Sequence, residues 1–411
     1  MRVGIDKINM YPGRLWTDAL AIAEARGRDR EQVREQVMVS QRTVVPVHED
    51  AVTLAVNAAR AMLTPEDRQQ IELLVVGTES SVDFGKALST WVHRFCELSP
   101  NCRTLEVKNA CYGGTGALAL ASAWIASGLR PGKKALVVSA DFMRRSTRDE
   151  HDMVGGGCAV AMLVGAEPRI LELELSGAGY WANEITDAFR PTVRLETFDN
   201  QLSLYSYMDA LEGAYENFLE RSAAAGAPVN FETDFKRHIY HAPFPGMPWQ
   251  AHRTLLRRCG VKRPELLSRS FEEKVRGGLF FGQRLGTAYG ASNFISLLGH
   301  LHLGGDLQAK DRISFFAYGS GCQGEFYSAR LAPEACAAVQ ALRLDQALEE
   351  RRQISLADFE RIEQARDTLA ERSDYTVQRD LIPGAYEALY EGKKLLVLER
   401  VEAYRRIYGW S

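Results

Sequence analysis

The stretch that most constrains the fold is GGTGALALASAWIAS, residues 113 to 127, an almost wholly apolar helix closed by Gly128. A helix that is apolar around its circumference has to be covered on every side. No apolar run in the chain approaches the ~18 residues of a membrane span, so the cover is protein. Short apolar strands flank this helix. RVGIDKINMY opens the chain, IELLVVGTES ends at Glu79, and RTLEVKNA ends just before Cys111. KKALVVSAD and CAVAMLVG follow the helix. Between the first two strands, DAVTLAVNAARAML places Val52, Val56, Ala59 and Leu63 at helical spacing and stops at Thr64-Pro65. Strands alternating with helices argue α/β layers.

The second half repeats the style without a detectable sequence repeat. RHIYHAPF reads as a strand ending at His241, GTAYGASNFISLLGHLHL as a buried small-residue helix, and RISFFAYGSG as a strand running into a glycine turn. Residues 331 to 411 read as periphery. There Ser355 and Asp358 open a helix with Leu356, Phe359 and Ile362 inward, and KKLLVLERVEAYRRIYGWS reads as a last strand. The 411 residues are enough for two halves sharing a core, taken as 1–170 and 171–411. A net charge of -3 gives no bulk electrostatic case for nucleic acid or a membrane surface. Seven cysteines, no C-x-x-C pair and no N-terminal signal pattern predict a reduced cytoplasm with neither zinc site nor disulfide framework.

Cys111 sits where a strand gives way to a helix, with Gly113 and Gly114 leaving room for a substrate carbonyl. A helix N-terminus there would favour thiolate and lower the pKa. Its own N–H could serve an oxyanion. A buried structural cysteine is the equal alternative. Glu79, aimed from a buried strand end, is a general base or a strand-end surface charge. His241, in a rigid strand context, donates to a substrate carbonyl or is a satisfied core histidine. Around Ser320 the glycine-rich AYGSGCQGEF is turn chemistry or a supply of backbone N–H. His238, His252 and Glu325 read as surface or structural groups.

Together, NACYGG, GGGCAVAMLVG, HAPF and YGSGCQGEFYS resemble the hydroxymethylglutaryl-CoA synthase family of the thiolase superfamily, in order and spacing over nearly the whole chain. ESSVDFGKALSTWVH, DAFRP, LSLYSYMDALE and GMPWQAHR are similar to its branch that installs β-branches in polyketide pathways. The resemblance implies a thiolase-like five-layered αβαβα fold with two pseudo-duplicated halves, Glu79 and Cys111 in the first, His241 and the Ser320 turn in the second. It implies Cys111 as the acylated nucleophile, Glu79 as general acid/base, and His241 as the group orienting the acceptor ketone. Ser320 N–H would complete an oxyanion hole. Thr287 stands where the family usually has an asparagine that holds the acyl group. Asp187, Tyr207 and Gly246 fall in substrate-binding segments, and Gly246 replaces a lysine of CoA-using relatives. Implied carriers are the phosphopantetheine of donor and acceptor acyl-carrier proteins, or CoA, with no permanent cofactor and no metal. A homodimer is expected by analogy. Arg253, Arg257 and Arg258 on the PWQAHRTLLRRCG helix are a solvated basic face or a landing patch for an acidic carrier protein. A CoA-dependent synthase and a non-catalytic carrier-binding homologue are the competing readings.

Overall fold

The computed structural model describes residues 2–143, 151–192 and 195–411. Its first half runs β1 (Gly4–Tyr11), α1 (Ala51–Arg60), β2 (Ile71–Gly77), β3 (Arg103–Val107), α2 (Gly113–Ala126), β4 (Lys134–Phe142) and β5 (Gly157–Gly165). Asp50 starts α1 by accepting the N–H groups of Val52 and Thr53, and the Thr53 hydroxyl accepts the Asp50 N–H in return. This reciprocal cap satisfies donors a helix start leaves unpaired. The second half runs β6 (Leu171–Leu173), β7 (Gly179–Ala182), α3 (Asn200–Ala224), β8 (Arg237–Tyr240), α4 (Met247–Arg258), α5 (Ser292–Leu303), β9 (Arg312–Gly319) and β10 (Gln323–Leu331).

The strands join in the order β8-β9-β10-β6-β1-β5-β4-β2-β3, with β7 added on β10. β2 runs parallel to β3 and β4, and β8 parallel to β9. The two halves meet where Gly4 and Ile5 of β1 pair with Glu172 and Leu171. Helices α2 and α5 lie between them. Ala117, Leu118 and Ala121 of α2 and Phe294, Ile295 and Leu298 of α5 share one core with Val75, Val137, Phe315 and Ala329. On one outer face, Leu54 and Val56 of α1 pack on Leu136, Val138 and Leu163. On the other, Leu211, Phe218 and Leu255 of α3 and α4 cover Tyr240, Phe316 and Phe326. The result is the αβαβα layering. Each buried Val, Leu, Ile or Phe among these contributes roughly 1.5–3 kcal/mol, against 0–1 for an exposed ion pair, so the cores hold the layers.

Three expectations change. The α2 helix is not covered all round: Ala119, Leu120 and Ala123 are exposed, beside the open edge of β3. The small-residue segment from 286 becomes α-helical only at Ser292, after a 3-10 turn at Tyr289–Ala291, because Gly286 and Tyr289 take positive φ (80° and 47°). The terminal segment is a hairpin, Leu396–Glu402 with Arg405–Trp410, turned by Ala403 and Tyr404 at φ 46° and 63°. Two successive positive φ values match the right-handed twist of a tight hairpin, but no Gly or Asn marked it in the sequence. At residue 355 half of the capping box forms: the Ser355 hydroxyl accepts the Asp358 N–H, while the Asp358 carboxylate accepts a hydrogen bond from the Ser355 hydroxyl rather than from its backbone N–H. Among the described residues no helix is long and apolar enough to cross a membrane.

Candidate active site

A cavity of about 400 Å³ opens where the strand ends of both halves converge, and Glu79, Cys111, Tyr207, His241, Thr287 and Ser320 all line it. Glu79 lies two residues beyond β2, and Cys111 lies in the turn between β3 and α2. Cys111 Sγ is 3.5 Å from Glu79 Oε1. The backbone under Glu79 is tied to β4, since its N–H donates to Asp141 Oδ1 at 2.9 Å and the Thr78 hydroxyl donates to the same oxygen at 3.0 Å.

The electrostatics reverse one expectation. Helix α2 begins at Gly113, and the half-buried Cys111 sits beside carboxylates rather than at the first helical N–H groups. Burial, and then the charges of Glu79 and Asp141, push the Cys111 thiol well above its ordinary value. The dipole of a helix end acts within one turn and loses to desolvation here. Burial also raises Glu79 above the usual carboxylate range, with Arg190 pulling the other way. The resting thiol therefore keeps its proton, and Glu79 is the base within reach of it.

His241 follows β8 and is clamped through its backbone. Its N–H donates to Phe316 O at 2.7 Å, and its carbonyl accepts the Tyr207 hydroxyl at 2.8 Å. Its ring centroid lies 6.4 Å from that of Tyr207 and 6.3 Å from that of Tyr318. Nδ1 is 2.7 Å from Ser292 Oγ. Burial pushes its pKa down to about 3, so the imidazole is neutral at physiological pH. Ser320 sits in the tight turn between β9 and β10. That turn is seated on the Cys111 turn: a Cβ at Gly319 would fall 2.6 Å from Asn109 O and Tyr112 N.

Some residues have other places than expected. Asp187 does not line the cavity. It is fully buried behind the Ser320 turn, accepting the Gly321 N–H at 2.9 Å and the Tyr318 hydroxyl at 2.8 Å. Gly246 is not in the lining either. Its N–H donates to Val37 O, and a Cβ there would meet Gln36 O at 1.8 Å. Of the α4 arginines, Arg258 pairs with Glu212 and Glu216 of α3, and Arg253 donates to Gln250 with its guanidinium near the Trp249 ring. Arg257 is exposed. His238 and His252 are buried, and Glu325 is buried against the Tyr112 hydroxyl at 2.5 Å. None of the three is a surface group.

The sequence reading missed Arg190, Glu196, Tyr289 and Ser292. Arg190, from the short hairpin Ala188–Phe189/Thr197–Phe198, donates to Glu79 O at 3.3 Å and to Glu196 at 2.9 Å. Tyr289 donates to the same Glu196 at 3.2 Å, and Arg190 lies over its ring at 5.1 Å. No spacing in the chain announces this group, because its members meet only across the cavity.

Two family models account for most of the chain. The hydroxymethylglutaryl-coenzyme A synthase N-terminal model matches residues 2–169, and the corresponding C-terminal model matches residues 249–411. The chain belongs to the hydroxymethylglutaryl-coenzyme A synthase family. It is 32% identical to the polyketide biosynthesis 3-hydroxy-3-methylglutaryl-ACP synthase PksG of Bacillus subtilis (strain 168), over 99% of each chain. It is also 32% identical to a hydroxymethylglutaryl-CoA synthase of Enterococcus faecalis, over 93% of this chain and 96% of that one. The crystal structure of the curacin biosynthetic pathway HMG synthase in complex with acetyl donor-ACP superimposes with a TM-score of 0.95, at 34% identity and full coverage of both chains.

Thr287 lines the cavity, with its N–H held by Val154 O at 2.8 Å. A threonine hydroxyl offers one donor where an amide offers two. Thr287→Asn is expected to retain or raise the condensation rate, by up to about tenfold for one regained hydrogen bond. The check is single-turnover condensation of the acetylated enzyme. A large loss would show that the pocket is built around threonine.

Proposed function

We propose that this chain is an acyl-carrier-protein-dependent hydroxymethylglutaryl synthase of polyketide β-branching. The observation that carries the reading is the convergence of Cys111, Glu79 and His241 on one cavity, in a chain similar along its whole length to a synthase crystallised with an acetyl donor-ACP. The acetyl thioester of a carrier protein is attacked by Cys111 Sγ. The new S–C bond forms as the pantetheine sulfur leaves, and the thiol proton passes by way of Glu79 to that sulfur. Glu79, again a carboxylate, removes a methyl proton from acetyl-Cys111. The enolate oxygen is held by the N–H groups of Cys111 and Ser320, where loss of one donor costs ~3–4 kcal/mol. The methyl carbon then attacks the β-ketone of the acceptor thioester, whose oxygen is hydrogen-bonded to neutral His241. Protonation gives the tertiary alcohol, and water cleaves the Cys111 thioester to a carboxylate and a free thiol.

Carrier protein is favoured over CoA by the Gly246 contact. The Gln36 carbonyl occupies the space of any side chain there, so no lysine can be presented to nucleotide phosphates from this position. One charge-assisted contact is worth ~1.5–3 kcal/mol, roughly ten- to a hundredfold in binding. Acetyl-carrier protein is therefore expected to acylate the enzyme at least about tenfold faster than acetyl-CoA at equal concentration, measured as the mass gain of the intact enzyme with time. Comparable rates from both donors would favour the CoA-dependent synthase.

The reading includes a cytoplasmic homodimer, each chain divided into halves 1–170 and 171–411. The uncovered apolar side of α2, with Leu120 50% exposed beside Leu105 of edge strand β3, suits a second copy. Arg253 and Arg257 remain candidates for carrier docking, while Arg258 is already engaged by Glu212 and Glu216. Asp187 supports substrate binding through the Ser320 turn, and Tyr207 through the His241 backbone.

A further inference from the structure

Ser292 is the first residue of α5 and lies directly behind His241. Its Oγ is 2.7 Å from His241 Nδ1 and accepts the Ala242 N–H at 3.3 Å. A serine hydroxyl has one proton to give. If Nδ1 carried a proton and donated it to Oγ, the Ser292 proton would face no acceptor among the described residues, in a side chain that is only 6% exposed. A buried donor without an acceptor is unfavourable. If the hydroxyl donates to Nδ1, both groups are satisfied.

We infer that Ser292 is a positioning residue that donates its hydroxyl proton to Nδ1 of His241 and so fixes the imidazole proton on Nε2, the nitrogen left for the cavity. This rests on the reading of His241 as the group that meets the acceptor ketone. It also goes beyond it, because it decides what His241 can do there. A carboxylate behind Nδ1 would hold a proton on that nitrogen and leave Nε2 as a base. No charged group contributes to the titration of His241, which is governed by burial alone. With a hydroxyl donor in that place, Nε2–H is a hydrogen-bond donor and has no lone pair to accept the methyl proton. The arrangement separates the two tasks. His241 polarises the ketone, and Glu79, 3.5 Å from Cys111 Sγ, acts as base.

The test uses the full-length chain labelled with 15N-histidine. Two-bond 1H–15N correlations at pH 7.5 report the tautomer of His241, assigned by difference against His241→Gln. The expected pattern is a neutral ring with bare Nδ1 and protonated Nε2. A ring protonated on Nδ1 would overturn the inference. Ser292→Ala is expected to lose the single tautomer and to slow condensation about tenfold or more, while acetylation of Cys111 stays within about twofold. Ser292→Thr, which keeps the hydroxyl, should restore both the tautomer and most of the condensation rate. Equal losses of acetylation and condensation in Ser292→Ala, with the wild-type tautomer retained, would also overturn it. If instead His241→Gln condenses at the parental rate, the role of His241 fails, while the spectrum still reads the effect of Ser292 on the ring.

Discussion

Cys111→Ala leaves the protein unable to take up acetyl from any thioester donor. Of the seven cysteines, only Cys111 lines the cavity. Burial pushes Cys96 up to about 12 and Cys102 up to about 11, and Cys158 is pushed up as well by full burial in a core. Cys322 is buried, Cys259 is exposed just past the end of α4, and Cys336 is half-buried. Among the described residues, none of these six has its sulfur hydrogen-bonded to a carboxylate as Cys111 is to Glu79. Loss of the nucleophile removes the covalent step, and turnover is expected to fall by at least ~10³-fold. The measurement is intact mass after incubation with acetyl-carrier protein. The parent gains one acetyl group and the variant gains none. Removing a sulfur from a cavity wall disturbs little packing, so an unchanged melting midpoint separates lost chemistry from lost fold. An acetyl adduct on the variant would place the nucleophile elsewhere.

Glu79→Gln is expected to acquire acetyl on Cys111 and then stall. The amide keeps shape and volume but cannot take a methyl proton. A positioned base contributes roughly 10²–10⁴-fold, and condensation should fall by about that factor. Acetylation should fall less, because the departing pantetheine sulfur can receive the thiol proton. The same residue sets the pH dependence. Burial raises Glu79 to about 8, so its base form is a minority below that pH. Condensation by the parent should therefore climb about tenfold per pH unit below pH 8 and level off above it, where an ordinary carboxylate would already be flat. The linkage to stability has the opposite sign. The unfolded chain ionises Glu79 near pH ~4.3, while the folded chain holds the proton to about 8. The folded state binds the extra proton, so this residue lowers stability as pH rises through that window. Glu79→Gln should then melt a few degrees higher than the parent at pH 8. Condensation by the variant at near the parental rate would mean that another base is at work.

Much of the architecture was legible because burial leaves a pattern in the sequence. The strands 4–11, 71–77, 134–142 and 157–165 are short and apolar, and α1 repeats its apolar residues at helical spacing. Where a segment was misjudged, the local chain lacked the usual marker. The hairpin turn at Ala403 and Tyr404 uses positive φ without glycine or asparagine. The open face of α2 is as apolar as its covered face, so composition could not say which side faces protein. Arg190 and Glu196 come from a hairpin with no periodicity, and their partners Glu79 and Tyr289 lie about a hundred residues away in either direction.

The sequence by itself determined the layered α/β class, the strand ends that carry Glu79, Cys111 and His241, and the family to which the motifs belong. These follow from periodicity and from ordered motifs, which are local properties of the chain. Only the tertiary structure decided the ionisation of the site. A helix end beside Cys111 suggested a lowered thiol pKa, but burial among Glu79 and Asp141 raises it. It also decided that Gly246 is a close contact with Gln36, that Asp187 holds a turn, and that Ser292 stands behind His241. The physical reason is common to all of these. Desolvation, close packing and hydrogen-bond partnership depend on what the fold brings from elsewhere, and no window of neighbouring residues contains that information.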